Sequence, residues 1–377
     1  MLSTIRTELS SIKYALGKHL NKTSLASTNY IYAPLFKLGK YNGYLYDPFF
    51  KFLVEILLSG GIKFKWWKMR PVENKKIPKT HVSMWVDIND ELYFFDKSDH
   101  IHEIDINALF ICEKYFKDNY NKSIIYKILK KYELLQHQNK IKPFISTCDV
   151  TKFYKRSLKS NYSNKYDIAQ ILSFYTSPDN IFNHEYRKLY PHAYDHGFIR
   201  YYTFQLLNEL SDINVYFNLS SKDKSWHYPD HLDYLDFFQY SKKLLSSNIG
   251  VVNTIPHRIF PWKVTEMICL GIPIAIDERP ITQFPNFIKL KPNEHYLEIF
   301  PGISYFPDDK DQDPSHISSY SSLLNTYNID NYKILFNDFH MKVKNKSLIN
   351  YLHQNVLKFR DDILLNKELF FDYIINC

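Results

Sequence analysis

A lysine and a glutamate stand three residues apart in a segment whose pattern predicts a short helix followed by a buried strand. The segment HRIFPWKVTEMICLGIPIAIDERP covers residues 257–280. Lys263 is expected in the first turn of the helix, where exposed backbone N–H groups and the helix dipole attract phosphate. Glu266, one turn later, can accept hydrogen bonds from vicinal hydroxyls such as those of a ribose. The pair predicts a nucleotide-binding site, and an incidental surface Lys–Glu pair is the alternative.

The residues around this pair predict where the helix begins and ends. Pro261 suits the first turn of a helix, where its missing N–H costs nothing. Val264, Met267 and Ile268 form an apolar stripe that we expect to face inward. Gly271 predicts a left-handed C-cap. The strand IPIAI that follows is apolar on both faces, which is typical of the interior of a parallel sheet.

The rest of the chain alternates predicted strands and helices, a pattern typical of α/β domains with parallel sheets. We predict a first domain over residues 1–150, a second over residues 165–350, and a C-terminal helix over residues 351–377 that packs back on the first domain. The polar run TKFYKRSLKSNYSNKY, from Thr151, is interpreted as the linker. An amphipathic helix leads the first domain, and it either packs on protein or lies on a membrane surface.

Composition narrows the class of protein. The chain has 377 residues and a formal net charge of +8, which favours anionic partners. We find no recognition-helix, zinc-finger or RNP-like pattern, so we predict no nucleic-acid partner. The four cysteines are widely spaced without a CxxC pair, which argues against a disulfide framework and a structural zinc site. A cytoplasmic protein, soluble or peripheral at the inner membrane, is expected.

The order Pro261-x-Lys263-x-x-Glu266, then Gly271-x-Pro273 and an apolar strand, resembles the donor-binding signature of bacterial GT-B glycosyltransferases. The resemblance implies an α/β GT-B fold, in which two Rossmann-like domains face a central cleft. It implies that Lys263 contacts the diphosphate of a nucleotide-sugar donor and that Glu266 holds its ribose. The implied function is transfer of a sugar to a glycan or lipid-linked acceptor in surface polysaccharide biosynthesis, such as lipopolysaccharide or capsule.

Further donor-binding candidates follow from their positions. Gly39 and Gly43 follow the first predicted strand, where GT-B enzymes bring a loop of the first domain to the cleft; a tight turn without ligand is the alternative. Arg200 stands near a predicted helix start after Gly197 and is a candidate phosphate contact or a plain surface residue. Arg258 replaces a glutamate of many retaining GT-B enzymes, and it either neutralises phosphate or forms a salt bridge.

The densest group of titratable residues is FFDKSDHIHEID, residues 94–105. Asp99 and His100 follow an apolar strand, and either can take the proton of an acceptor hydroxyl as general base; a polar loop is the alternative. His100-x-His102 lacks a third ligand at convincing spacing, so we predict no metal and no cofactor. Two other functions stay open, a GT-B-fold nucleotide-sugar epimerase and a non-catalytic nucleotide- or glycan-binding subunit.

Overall fold

The computed structural model forms two compact α/β units. The described residues are 30–32, 48–65, 83–88, 91–97, 103–159, 163–174, 191–221, 226–229, 235–253, 260–277, 282–301 and 329–377. The first unit comprises Met1–Ile145, Gln283–Pro285 and Leu365–Cys377, and the second comprises Ser146–Thr282 and Asn286–Leu364. Among the residues described, no helix is both long enough and apolar enough to cross a bilayer.

Both units contain helices and strands interspersed along the chain. The helices are, in chain order, α1 (Pro48–Ser59), α2 (Ile106–Ile111), α3 (Lys122–Lys131), α4 (Val150–Leu158), α5 (Pro191–Asn208), α6 (Phe237–Leu245), α7 (Trp262–Leu270), α8 (Ile329–Lys344), α9 (Lys346–Phe359) and α10 (Lys367–Asn376). A 3₁₀ helix covers Leu135–Lys140, and a π turn covers Arg360–Leu364 between α9 and α10. The segment 351–377 therefore differs from the single helix that the sequence predicts.

The sheet of the first unit is mixed. Its strands are β1 (Tyr30–Tyr32), β2 (Lys63–Lys65), β3 (Ser83–Ile88), β4 (Glu91–Asp96), β5 (Lys114–Lys117) and β6 (Ile141–Pro143), in the order β2-β1-β3-β4-β5-β6. Strand β3 is antiparallel to β1 and β4, whereas β4, β5 and β6 are parallel. The predicted parallel sheet is wrong for this unit because two residues separate β3 from β4, and so short a connection joins antiparallel strands.

Aromatic side chains fill the core of the first unit. The ring of Phe144 lies 5.6 Å from that of Phe49 and 6.1 Å from that of Phe370, which belongs to α10. The ammonium of Lys367 forms an ion pair with Glu55 of α1 at 2.8 Å. Residues from the two ends of the chain's sequence therefore complete one core.

The sheet of the second unit has the strand order of doubly wound nucleotide-binding sheets. Its strands are β7 (Tyr166–Phe174), β8 (Val215–Ser221), β9 (His227–Tyr228), β10 (Ser247–Val252), β11 (Ile274–Ile276) and β12 (Tyr296–Glu298). The order is β12-β11-β10-β7-β8-β9, and only the β8–β9 pair is antiparallel. Counted from β7 as the first strand, this is 3-2-1-4-5-6 read from the β9 edge. The order reverses between β7 and β10, and ligands bind such sheets at this point.

The helices that follow β7 and β10 cover opposite faces of this sheet. Val251 of β10 packs in one apolar cluster with Leu207 of α5 and Phe339 of α8. Its neighbour Gly250 faces the other way, because a Cβ atom there would lie 2.4 Å from the sulfur of Met267 in α7. Helices α5 and α7 therefore approach the carboxyl ends of the strands from opposite sides.

The predicted linker contains helix α4, so that prediction is wrong. The side chain of Asp149 caps the helix by accepting a hydrogen bond from the backbone N–H of Lys152 at 3.1 Å. Val150 and Phe153 are buried on one side of the helix. The sequence shows little apolar periodicity here, because only one short turn of the helix is apolar and basic residues occupy its other side.

Candidate functional site

Helix α7 forms where the sequence predicts it. Pro261 is its N-cap, one position earlier than expected, with φ −71° and ψ 138°. Gly271 ends the helix in the left-handed region with φ 78°, as predicted, and a Cβ atom there would lie 2.6 Å from Leu357 of α9. Every residue from Val264 to Leu270 is buried. The helix is thus held on all sides after its first turn, and its position is fixed.

Lys263 reaches from the first turn of α7 to the end of β7. Its ammonium donates a hydrogen bond to the carbonyl of Ile171 at 3.1 Å. The pairing of β10 with β7 ends one residue earlier, at Gln170. Burial lowers the pKa of Lys263 to about 8, although the charge of Glu266 raises this pKa; the nearby charge of Arg200 lowers it further. In mildly alkaline solution, part of the Lys263 population therefore carries a neutral amine instead of an ammonium.

Arg200 reaches the same strand end from the other face of the sheet. One guanidinium nitrogen donates to the carbonyl of Ser173 at 2.6 Å. Since Ile171 and Ser173 are alternate residues of β7, their carbonyls point the same way. Two cations thus converge at the carboxyl end of β7, where the strand order reverses. The sequence predicted Arg200 near a helix start, and this is wrong. Helix α5 already begins at Pro191, a residue that favours the first helical turn.

Glu266 lies deeper in the unit and is 4% exposed. The hydroxyl of Tyr240 in α6 donates to its Oε2 at 2.6 Å. Burial raises the pKa of Glu266 to about 7, and the Tyr240 hydrogen bond and the charges of Lys263 and Lys152 act in the opposite direction. Near neutral pH this carboxyl group therefore exists in both protonation states. A carboxylate has room for several hydrogen bonds, and Tyr240 fills one of these.

Two polar residues that the sequence analysis missed lie at the neighbouring strand ends. Asn253 directly follows β10 and donates to the carboxylate of Asp277, which directly follows β11, at 3.3 Å. Both are buried, and the amide oxygen of Asn253 has no hydrogen-bond partner among the described residues. The amide oxygen of Asn253 and the carboxylate of Asp277 can both accept hydrogen bonds from a ligand. The signal was a polar residue immediately after an apolar strand, in GVVN and IAID.

The first unit has a buried ion pair at the carboxyl ends of β4 and β5. Lys117 and Asp96 are both fully buried, with 3.3 Å between ammonium and carboxylate. The hydroxyl of Tyr115 donates to the same carboxylate oxygen at 2.5 Å and accepts from the backbone N–H of Asp105 at 3.0 Å. Asp96 and Asp105 flank the segment in which we predict the general base. Tyr115 therefore links both ends of this segment.

The structure brings three of the predicted residues together, since Lys263 interacts electrostatically with both Glu266 and Arg200. The other candidates lie outside the described residues, namely Gly39, Gly43, Asp99, His100 and Arg258, and so does the leading amphipathic helix. In the part of the chain that is described, no group of three or more His, Cys, Asp or Glu side chains is placed to hold a metal ion. Metal independence stays a prediction.

Comparisons with known proteins identify no family. A scan against protein-family models and a search of curated proteins each found no match for this chain. The resemblance to GT-B enzymes therefore depends on the motif residues alone, and function has to be argued from the chemistry of the second unit.

Proposed function

We propose that the second unit binds the phosphates of a nucleotide at the carboxyl end of β7. The observation that carries this proposal is the convergence of Lys263 and Arg200 on the carbonyls of Ile171 and Ser173. Doubly wound sheets bind their ligands at such a reversal of strand order. An ammonium has three N–H donors and a guanidinium five. Both cations are charged donors of the kind that bind phosphate oxygens, and the first turn of α7 adds backbone N–H groups.

The chemistry that suits this arrangement is glycosyl transfer from a nucleotide sugar. The bond between the anomeric carbon and the diphosphate oxygen breaks, and Lys263 and Arg200 stabilise the negative charge that develops on the diphosphate. An acceptor hydroxyl oxygen forms the new bond, and its proton passes to a base, for which Asp99 and His100 remain the candidates. Because two cations stand at the leaving group, we propose that transfer needs no divalent metal.

The wider setting is part of the same proposal. We propose a GT-B enzyme, with two Rossmann-like lobes, that acts on a glycan or lipid-linked acceptor in bacterial surface polysaccharide biosynthesis, in the cytoplasm or at the inner membrane. The motif Pro261-x-Lys263-x-x-Glu266 with Gly271 supports this class. For Glu266 we propose a positioning role, because its negative charge raises the pKa of Lys263. The ribose contact implied by the resemblance stays a prediction.

Nucleotide binding is tested first and catalysis second. The first experiment is calorimetric titration of the protein with UDP, GDP and CMP. Lys263→Met and Arg200→Met each remove one charge-assisted hydrogen bond, worth about 1.5–3 kcal/mol. We therefore expect each variant to bind the preferred nucleotide about 10- to 100-fold more weakly. Lys289→Met is the matched control, because Lys289 is an exposed lysine of the same unit. Equal affinity of Lys263→Met and the control would overturn the proposed phosphate site.

Turnover then separates the three possible functions. Incubation with the sugar conjugates of the preferred nucleotide, with and without oligosaccharide or lipid-linked acceptors, gives transfer only in the presence of acceptor if the protein is a glycosyltransferase. Isomerised sugar without acceptor identifies an epimerase. Nucleotide binding without any turnover identifies a nucleotide-binding subunit. The absence of nucleotide binding rejects both enzymes and the nucleotide-binding subunit, and leaves only a glycan-binding subunit.

A further inference from the structure

Cationic and apolar side chains, most of them exposed, lie on three neighbouring helices of the second unit. We define the basic aromatic surface by its seven residues: Lys152, Lys155, Arg156 and Leu158 of α4, Lys159 directly after α4, Phe238 of α6, and Trp262 of α7. The apolar members are unusually exposed, with Leu158 at 65%, Phe238 at 64% and Trp262 at 46%. Large apolar side chains at such exposure are candidates for contact with another surface.

Direct contacts join the α4 and α6 parts of this surface. The ammonium of Lys152 lies 3.9 Å from the ring centre of Phe237, and the guanidinium of Arg156 lies 5.5 Å from that of Phe238. Arg156 also donates a hydrogen bond to the hydroxyl of Ser241 at 3.0 Å. The cations are therefore held against aromatic rings rather than extended singly into solvent.

Trp262 belongs to the same surface by its position on α7. It shares one side of the helix with Thr265 and Glu266, which stand three and four residues later. Thr265 accepts a hydrogen bond from the backbone N–H of Cys148, just before α4, and Glu266 accepts one from Tyr240 of α6. This side of α7 thus faces α4 and α6, and Trp262 is its exposed end.

We propose that the basic aromatic surface docks on a bilayer that contains anionic phospholipid. Residues 150–159 include four cations and no carboxylate, and the whole chain has a net charge of +8. Basic side chains near an anionic membrane are attracted to its surface potential. Tryptophan, phenylalanine and leucine beside them suit the boundary between headgroups and acyl chains. Charge attracts the surface to the membrane, and the apolar side chains insert into it.

Vesicle co-sedimentation with the full chain tests this proposal independently of nucleotide binding. The vesicles are phosphatidylcholine alone, or equal parts of phosphatidylcholine and phosphatidylglycerol. Lys155→Gln with Lys159→Gln removes two charges, each contributing about fivefold to the partition coefficient, so we expect about 25-fold weaker binding to anionic vesicles. The matched control is Lys130→Gln with Lys131→Gln on α3, which removes the same charge from exposed positions of the first unit.

A second pair of variants separates membrane insertion from simple attraction to polyanions. Leu158→Ser with Phe238→Ser should also weaken binding to anionic vesicles, by about tenfold or more, because both side chains lose apolar contact with the bilayer. Ile334→Ser with Met341→Ser removes two equally exposed apolar residues of α8 and should have no effect. Wild-type protein that prefers neither vesicle overturns the proposal. An equal loss of vesicle binding in the test variants and their controls also overturns it. So does a loss that occurs only in the Lys155→Gln, Lys159→Gln variant and is equally large for binding to duplex DNA.

Discussion

Glu266→Gln tests whether one carboxylate keeps Lys263 charged. The ordinary pKa of a lysine, 10.5, is reduced by burial to about 8 in Lys263, and the charge of Glu266 is what opposes that reduction. Side chains three apart on a helix have Cβ atoms about 5–6 Å apart. At about 6 Å and an effective dielectric constant of about 20, two unit charges interact by about 3 kcal/mol, or about two pKa units.

The expected shift is smaller than this full value, because the side chain of Lys263 is partly exposed and solvent screens its interaction with Glu266. We therefore expect Glu266→Gln to lower the pKa of Lys263 by about one unit. In the wild-type protein, affinity for the preferred nucleotide should decline as the pH rises through about 8, since a neutral amine no longer attracts phosphate. In the variant this decline should occur about one pH unit lower.

Calorimetric titration from about pH 6 to about pH 10 measures both profiles, a range that brackets the relevant pKa values. Phosphate binding favours the ammonium form, so near pH 8 the wild-type protein should take up protons on binding, and the measured enthalpy should depend on the buffer. Glu209→Gln is the control, because Glu209 is an exposed glutamate directly after α5. An identical pH of decline in both proteins, or wild-type affinity that does not change with pH, would refute the coupling.

Two stability predictions follow from the fold. Gly271→Ala should lower the free energy of unfolding in denaturant by about 2–4 kcal/mol, and Gly61→Ala by about 1 kcal/mol. Both glycines have positive φ, but only at Gly271 does the new Cβ meet a side chain, that of Leu357 at 2.6 Å. Equal costs would contradict this packing. Lys117→Met leaves Asp96 buried without its cation and should cost about 3–5 kcal/mol, an effect that Lys117→Met with Asp96→Asn should partly reverse; an unaltered unfolding midpoint in the single variant would contradict it.

Local patterns in the sequence were sufficient to predict helix α7 and its glycine cap. Gly271 adopts the left-handed conformation, and the strand after it lies inside a parallel sheet, as its apolar residues on both faces indicate. These features depend on neighbours within a few residues. Helix α4 was missed because its apolar side is only one turn wide, although Asp149 was a visible cap signal.

Contacts between distant parts of the chain were beyond sequence reasoning. Nothing in the spacing of Lys263 and Glu266 indicates that one donates to Ile171 and the other accepts from Tyr240. Arg200 lies in the middle of α5 rather than near a helix start, where the sequence placed it, and its contact with phosphate stays a prediction. Burial decides the protonation of these groups, and burial depends on tertiary packing.

The return of the chain to its first unit has a consequence for synthesis. Residues 365–377 belong with residues 1–145, and all of 146–282 and 286–364 is made between them. While the ribosome builds the second unit, Phe144 therefore lacks the ring of Phe370 against which it finally rests. The first unit is synthesised before the second but can complete its core only after the second. Until then the nascent chain exposes aromatic side chains of the first unit, which makes aggregation a hazard.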